Sequence, residues 1–225
     1  MKTFVLGDPH GGLRAIIQVL QRARFDYAND KLICLGDVAD GWSETAEALD
    51  YLIDNVKNLV YVRGNHDQWL KQWLDKGQKP NVWTMQGGLA TMSSYSKHPE
   101  LKEKHLKFLK STKHYYVDDK NRLFVHGGIA VNKKAEDTEK MYLMWDRELW
   151  YNRFNLQNLT LYSEVYVGHT SIYRDSEIPA NYANVWFLDT GGGWEGVLSI
   201  MNIDTKEVWQ SDEVADLYPE TRGRN

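Results

Sequence analysis

Thr3-Phe4-Val5-Leu6-Gly7-Asp8-Pro9-His10-Gly11-Gly12 opens on an apolar run, stops at a glycine and delivers an aspartate and a histidine before the next turn. Residues 3–6 read as a short buried strand ending at Gly7, and Gly11-Gly12 turn the chain into a helix. Leu13, Ile16, Ile17 and Leu20 then fall at i, i+3, i+4 and i+7, which places them on one helical face. The same grammar repeats twice. Leu32-Ile33-Cys34-Leu35 is a second strand, ended by Gly36 and followed by Asp37-Val38-Ala39-Asp40. Ser43 with Glu44 is a helix start, with Ala46, Leu49, Ile53 and Val56 facing the core. Leu59-Val60-Tyr61-Val62 is a third strand, ended by Arg63-Gly64 and followed by Asn65-His66-Asp67. Strand, helix, strand, helix, strand predicts an α/β domain with parallel pairing and right-handed crossovers. In such sheets ligands gather beyond the carboxyl ends of the strands, where all three polar strings fall.

Two later strands extend the pattern: Leu123-Phe124-Val125 runs into His126-Gly127-Gly128, and Val165-Tyr166-Val167 into Gly168-His169. Asp8, His10, Asp37, Asn65, His126 and His169 thus form a mixed nitrogen and oxygen donor set at strand ends. Such a set suits Mn, Fe, Zn or Co and excludes sites built wholly from sulfur. Asp8 and His10, two residues apart, can converge on one cation, and Asp37 has two oxygens with which to bridge two. Taken singly, each aspartate or asparagine is a common turn former. Six such placements together point to a two-metal site, a device for displacing a leaving group from phosphorus.

The strings Gly7–Gly11, Gly36–Asp40, Arg63–Asp67, His126–Gly128 and Gly168–Thr170 resemble, in order, the five blocks of the calcineurin-like metallophosphoesterases. The arrangement is most similar to the bacterial and phage-type phosphoprotein (Ser/Thr) phosphatases and the diadenosine tetraphosphatases. The late Leu188-Asp189-Thr190-Gly191 string also looks like theirs. The resemblance implies a β-sandwich flanked by helices (α/β/β/α) with a dinuclear site at one sheet edge. It implies that Asp8, His10 and Asp37 bind one cation and that Asp37, Asn65, His126 and His169 bind the other, with Asp37 bridging. Two divalent ions are expected, Mn foremost, with Fe, Zn, Ni or Co as alternatives. A metal-bridging hydroxide would attack phosphorus in line, His66 would protonate the leaving group, and Asp40 would fix the His66 tautomer.

Two departures stand out. Where the protein phosphatases usually continue Asp-Arg-Gly, this chain has Asp40-Gly41-Trp42, so a phosphate-gripping guanidinium is missing. Arg147, within Met144-Trp145-Asp146-Arg147-Glu148, resembles the Trp-x-Arg of phage-type enzymes and is a candidate replacement, as is Arg63; each has the alternative of a surface ion pair. Trp42 suits either a stacking surface beside the site or the core. Asp67 stands where many protein phosphatases carry Glu, a choice shared with polyphosphate and general phosphoesterase relatives.

The expected activity is phosphomonoester hydrolysis of the Ser/Thr phosphatase type. The alternatives are hydrolysis of nucleotide substrates (diadenosine tetraphosphate, cyclic or terminal nucleotide phosphates) and a non-catalytic scaffold on the same fold. The substrate is accordingly a phosphoprotein or a nucleotide. A net charge of −4 over 225 residues gives no general affinity for nucleic acid or anionic membrane, leaving nucleic acid open as a partner. No apolar run approaches the ~20 residues needed to span a bilayer. Gly7-Asp8 follows the first residues too closely for a signal-peptide apolar region, so a cytoplasmic location is expected. Cys34, the one cysteine, lies in a strand pattern and reads as a buried structural thiol. The stretch from Lys97 to His114 reads as an amphipathic helix with a solvated lysine face, the alternative being an anionic-substrate groove. The end of the chain reads as antiparallel β: Val185–Asp189, a Gly191-Gly192-Gly193 turn, Gly196–Ile203 and Glu207–Gln210. Residues 1–210 are expected to form one domain, and 211–225 a polar, mobile C-terminal tail.

Overall fold

The computed structural model of the chain describes residues 1–224. In chain order it contains β1 (Thr3–Leu6), α1 (Leu13–Arg22), β2 (Lys31–Cys34), α2 (Thr45–Asn55), β3 (Asn58–Tyr61) and α3 (Asn65–Lys76). The turn α4 (Asn81–Trp83), α5 (Leu89–Lys97) and α6 (Leu101–Ser111) follow, then β4 (Tyr115–Val117), β5 (Arg122–Val125), α7 (Lys140–Trp145) and α8 (Glu148–Tyr151). The last elements are β6 (Glu164–Val167), β7 (Ala180–Tyr182), β8 (Val185–Phe187), β9 (Ser199–Asn202), β10 (Val208–Gln210) and α9 (Val214–Leu217).

The strands form two five-stranded mixed sheets, ordered β10-β9-β1-β2-β3 and β4-β5-β6-β8-β7. Their side-chain alternation explains the layering. Phe4 and Leu6 of β1, with Leu32 and Cys34 of β2, point to the helix side, where α1 and α2 supply Ile16, Val19, Leu20, Ala46, Leu49 and Leu52. Val5 and Ile33, one residue out of phase, point the other way and meet Phe124 of β5 and Tyr166 of β6 between the sheets. Phe124 and Tyr166 stack with ring centres 4.8 Å apart. Leu123, Val125, Val165 and Val167 face outward again, onto Leu143 and Leu149 of α7 and α8. Helices therefore cover both outer faces, giving the α/β/β/α sandwich. Each of these buried aliphatic side chains contributes roughly 1.5–3 kcal/mol relative to exposure.

The parallel β1–β2–β3 core forms as the periodicity predicts, with Phe4 opposite Leu32 and Leu32 opposite Leu59. Cys34 is buried within it, and burial pushes its thiol pKa up. The Lys97–His114 stretch holds α6 with two of its lysines in surface pairs, Lys104 with Asp50 and Asp54 and Lys110 with Asp75, each at 2.6 Å. The groove alternative gains nothing from these contacts.

Two expectations change. β8 does not form a hairpin with β9 across Gly191–Gly193; β8 pairs with β6 in the second sheet, and β9 pairs with β1 in the first. The glycine turn carries the chain from one sheet to the other. Only β9 and β10 form the expected antiparallel pair. Nor do residues 211–224 hang free. Val214 and Tyr218 are buried, and the Tyr218 ring stacks on Trp42 with centres 5.3 Å apart. Trp42 is itself buried, its Nε1–H donating to the Gly192 carbonyl at 2.7 Å, so it is core and not a stacking surface.

Candidate active site

All six candidate ligands lie where β1, β2, β3, β5 and β6 end, and all are at least nine-tenths buried. Tight turns aim them. His10, Asp37, Asp40 and His169 hold positive φ angles of 46°, 48°, 69° and 65°. That region is unfavourable for residues with a side chain, and such strain clusters at functional sites. Asp67, at the start of α3, locks the β2 turn: its carboxylate accepts the backbone N–H groups of Gly64, Asp37, Val38 and Ala39 at 2.9–3.3 Å. The departure at position 67 thus retains a defined task in shaping the turn.

The donor atoms converge in two overlapping groups. Asp8, His10 and Asp37 present ligand atoms within 4.8 Å of one another, as do Asp37, His126 and His169; Asp37 belongs to both. Asn65 Oδ1 lies 3.0 Å from His126 Nε2 and so joins the second group. Second contacts set the tautomers. His10 Nδ1–H donates to the Ala39 carbonyl at 3.0 Å and His126 Nδ1–H to Leu35 at 2.8 Å, which points each Nε2 at the site. His169 Nε2–H donates to the Trp145 carbonyl at 3.2 Å, which leaves its Nδ1 as the ligating atom.

The electrostatics fit divalent cations. Burial and the neighbouring Asp189 push the Asp8 carboxyl well above the usual range, and burial raises Asp189 to about 6. Burial works against the Asp37 carboxylate as well, but His126, His66 and His10 outweigh it and hold its pKa well down. Burial opposes charge on His126 too, yet Asp37 and Asp8 raise its pKa to about 9. Among the described residues no lysine or arginine pairs with Asp8, Asp37 or Asp189. Asp8 Oδ1 is buried without a hydrogen-bond partner. Asp37 has His126 at 3.1 Å as a basic partner, but Asp8 and Asp189 have none among the described residues within ion-pair distance, and such buried carboxylates are costly unless a cation neutralises them. The donor set and its unmet charge therefore fit divalent metal ions.

Beside the ligands stands a dyad. His66 Nδ1–H donates to Asp40 Oδ2 at 2.7 Å, and the His66 ring meets His10 and Trp69 edge-on at 5.1 and 5.0 Å. Asp40 is completely buried and its carboxylate also accepts Trp83 Nε1–H and the Thr91 hydroxyl, each at 2.7 Å. Trp83 and Thr91 were absent from the sequence expectation; the only signal was an aromatic, irregular stretch between α3 and α6. The Leu188–Gly191 string carries Asp189, but nothing in its local pattern places that carboxyl beside Asp8.

The two candidate clamps separate. Arg63 is buried with every guanidinium nitrogen engaged: Nε with the Thr112 hydroxyl, Nη1 with Gln68, and Nη2 with the Leu109 and Thr112 carbonyls. It ties β3 to the end of α6, and four hydrogen bonds hold its buried guanidinium there, which favours a structural role over a phosphate clamp. Arg147 is half-buried, forms no ion pair among the described residues and lines a cavity of about 420 Å³ with His169, Thr170, Tyr173 and Trp194.

Known proteins are similar to this chain in sequence and in fold. The chain is 25% identical over 206 residues to serine/threonine-protein phosphatase 1 of Salmonella typhimurium, covering 89% of this chain and 91% of that one. It is 26% identical over 273 aligned positions to the symmetrical bis(5'-nucleosyl)-tetraphosphatase of Pseudomonas fluorescens, covering 92% and 93%. A crystal structure assigned as a diadenosine tetraphosphatase superposes with a TM-score of 0.68 at 15% identity, over 93% of this chain and 92% of the other, which shows the shared fold. The family model described as calcineurin-like phosphoesterase matches residues 1–193, most of the chain and all six candidate ligands, and the chain belongs to that family of hydrolases acting on phosphate ester bonds.

Proposed function

We propose that this chain is a phosphomonoesterase of the Ser/Thr protein phosphatase type, working with two divalent cations, Mn foremost, in the cytoplasm. The observation that carries the reading is Asp37 standing in both ligand groups, with the His66–Asp40 pair beside them. Asp8, His10 and Asp37 would hold one cation, and Asp37, Asn65, His126 and His169 the other. Bound there, the cations would supply Lewis acidity toward phosphoryl oxygens and bring the pKa of a water toward neutrality. Asp40 holds the His66 tautomer through Nδ1, so that Nε2 is the atom to donate a proton to the departing alkoxide. Arg147 binds a phosphate oxygen from the cavity beside His169.

The Salmonella relative supports the protein-phosphatase reading, because its alignment fills nine-tenths of both chains over only 206 residues. The tetraphosphatase alignment needs 273 positions, more than the 225 of this chain, and so requires insertions in the relative. One observation favours the nucleotide reading: Tyr173 and Trp194, both half-buried, line the cavity that holds Arg147, where a base could stack. Initial rates of Mn-loaded protein on a phosphothreonine peptide, diadenosine tetraphosphate and a 2′,3′-cyclic nucleotide, with a chelator control, decide between them. The peptide is expected to win; a nucleotide preference would replace the first reading by the second.

Two substitutions probe the supporting residues. Arg147→Ala should raise KM for phosphomonoesters about tenfold or more, the scale of a charge-assisted hydrogen bond; unchanged kinetics would remove Arg147 from the site. Thr91→Val keeps the shape but removes two of the bonds that hold Asp40, the one donated to its carboxylate and the one accepted from its backbone N–H. It should lower kcat about tenfold on a substrate with a poor leaving group and leave an activated aryl phosphate nearly unaffected. Equal loss on both substrates would mean general damage and not a weakened acid.

A further inference from the structure

Residues 211–224 wrap back over the site, and successive contacts determine where they end. Val214 N–H donates to the Gly196 carbonyl at 3.0 Å, and Tyr218 stacks on Trp42. Gly223 then lies flat on the same indole: a Cβ there would come within 2.8 Å of Trp42 Cζ2 and 2.6 Å of the Gly193 carbonyl oxygen. Arg224 N–H donates to that carbonyl at 2.8 Å. From this anchor the Arg224 side chain enters the site. Its Nη1 stands 3.2 Å from His10 Nε2, its Nη2 donates to Gln86 Oε1 at 3.1 Å, and its guanidinium carbon is 4.9 Å from the Trp194 ring centre. Its Nε–H is buried without a partner.

The Asp189 carboxyl is within electrostatic reach of this guanidinium but makes no hydrogen bond to it, so donors remain for a further anion. Among the described residues Arg224 forms no ion pair with a carboxylate, and its Nη1 points at the lone pair of His10 that a cation would take. Once a cation holds that lone pair, Nη1 must find another acceptor, and the vacant Nε donor is already turned inward. Arg224 and Arg147 line the same cavity of about 420 Å³ with His169 and Thr170. The arginine also passes through a telling volume: a Cβ at Gly41, where the sequence lacks an arginine, would lie 3.1 Å from Arg224 Cγ. Gly41 has φ +110°, so a side chain at position 41 would be strained.

We infer that Arg224 is a substrate-phosphate ligand, delivered by the 211–224 segment into the space beside Gly41 and acting on the same phosphoryl group as Arg147. This rests on the phosphoesterase reading above and names the second cation of its phosphate pocket. The planar fork suits two oxygens of a phosphoryl group, and the Trp42–Tyr218–Gly223 stack fixes its root.

Calorimetric binding of inorganic phosphate to Mn-loaded protein, with metal content measured in each sample, tests the assignment independently of turnover. Arg224→Gln should weaken phosphate binding at least ~10-fold and raise KM for phosphomonoesters by a similar factor. Arg224→Lys should recover part of the loss, since it restores the charge without the fork. Gly223→Val retains the guanidinium but forces the segment off Trp42, and should weaken phosphate to the same extent as Arg224→Gln. Unchanged phosphate affinity in Arg224→Gln would overturn the assignment. So would tighter binding or faster turnover, which would make the side chain a plug, and so would loss of metal in place of phosphate affinity. Wild-type protein that binds phosphate but hydrolyses no ester would sink the phosphoesterase reading while the Arg224 comparison still stands.

Discussion

His66→Asn is expected to lower kcat by at least ~100-fold on phosphoserine peptides, with metal content unchanged, the usual scale for removal of a general acid. The expectation follows from what His66 touches. Its ring is buried, its Nδ1–H is bonded to Asp40, and it forms no part of either ligand group, so its loss leaves the metal donors in place. An alkoxide leaving group needs the proton that the proposal assigns to His66, whereas a nitrophenolate leaves without help. The loss should therefore shrink on p-nitrophenyl phosphate. Full activity of the variant on the peptide would take His66 out of the mechanism.

Asp37→Asn is expected to have the larger structural consequence: the protein should retain at most one metal equivalent, and activity should fall to the chelator-treated background. Asp37 Oδ2 lies 3.1 Å from His126 Nε2 and 3.9 Å from His10 Nε2, and Oδ1 accepts the His66 N–H at 2.9 Å. Asparagine preserves that size and tolerates the positive φ of 48° at this position, so the turn should survive. What it removes is the negative charge common to both groups. Metal analysis after desalting reads the outcome, and two full equivalents in the variant would contradict the bridging assignment.

The first three strands and two crossover helices were legible because each apolar run ends at a glycine and each helix repeats its apolar face. The convergence of the candidate donors was legible because they sit directly after those runs. Even so, α1 buries Ala15, Ile16, Val19 and Leu20, a face turned slightly from the expected one, and Ile17 is only half-buried. Other features depend on distant partners, which local pattern does not encode. The alternation of Val185–Phe187 and Ser199–Asn202 identifies strands but not which sheet each joins. The direction of the Arg63 guanidinium is set by the end of α6, remote in sequence, which engages it there while Arg147 forms no ion pair among the described residues. Polar composition hid the docking of residues 211–224, since two side chains, Val214 and Tyr218, supply the anchors among many charged neighbours. Asp40 was recognised from its block, but its Trp83 and Thr91 partners came from a segment with no motif.

The most direct test of a shared-carboxylate, two-cation phosphoesterase is a stepwise Mn titration of chelator-stripped protein, following p-nitrophenyl phosphate turnover against bound metal. Turnover that rises steeply only as the second equivalent binds, and vanishes again with chelator, is the predicted result. Full turnover in stripped protein, or a plateau reached at one equivalent, would contradict it.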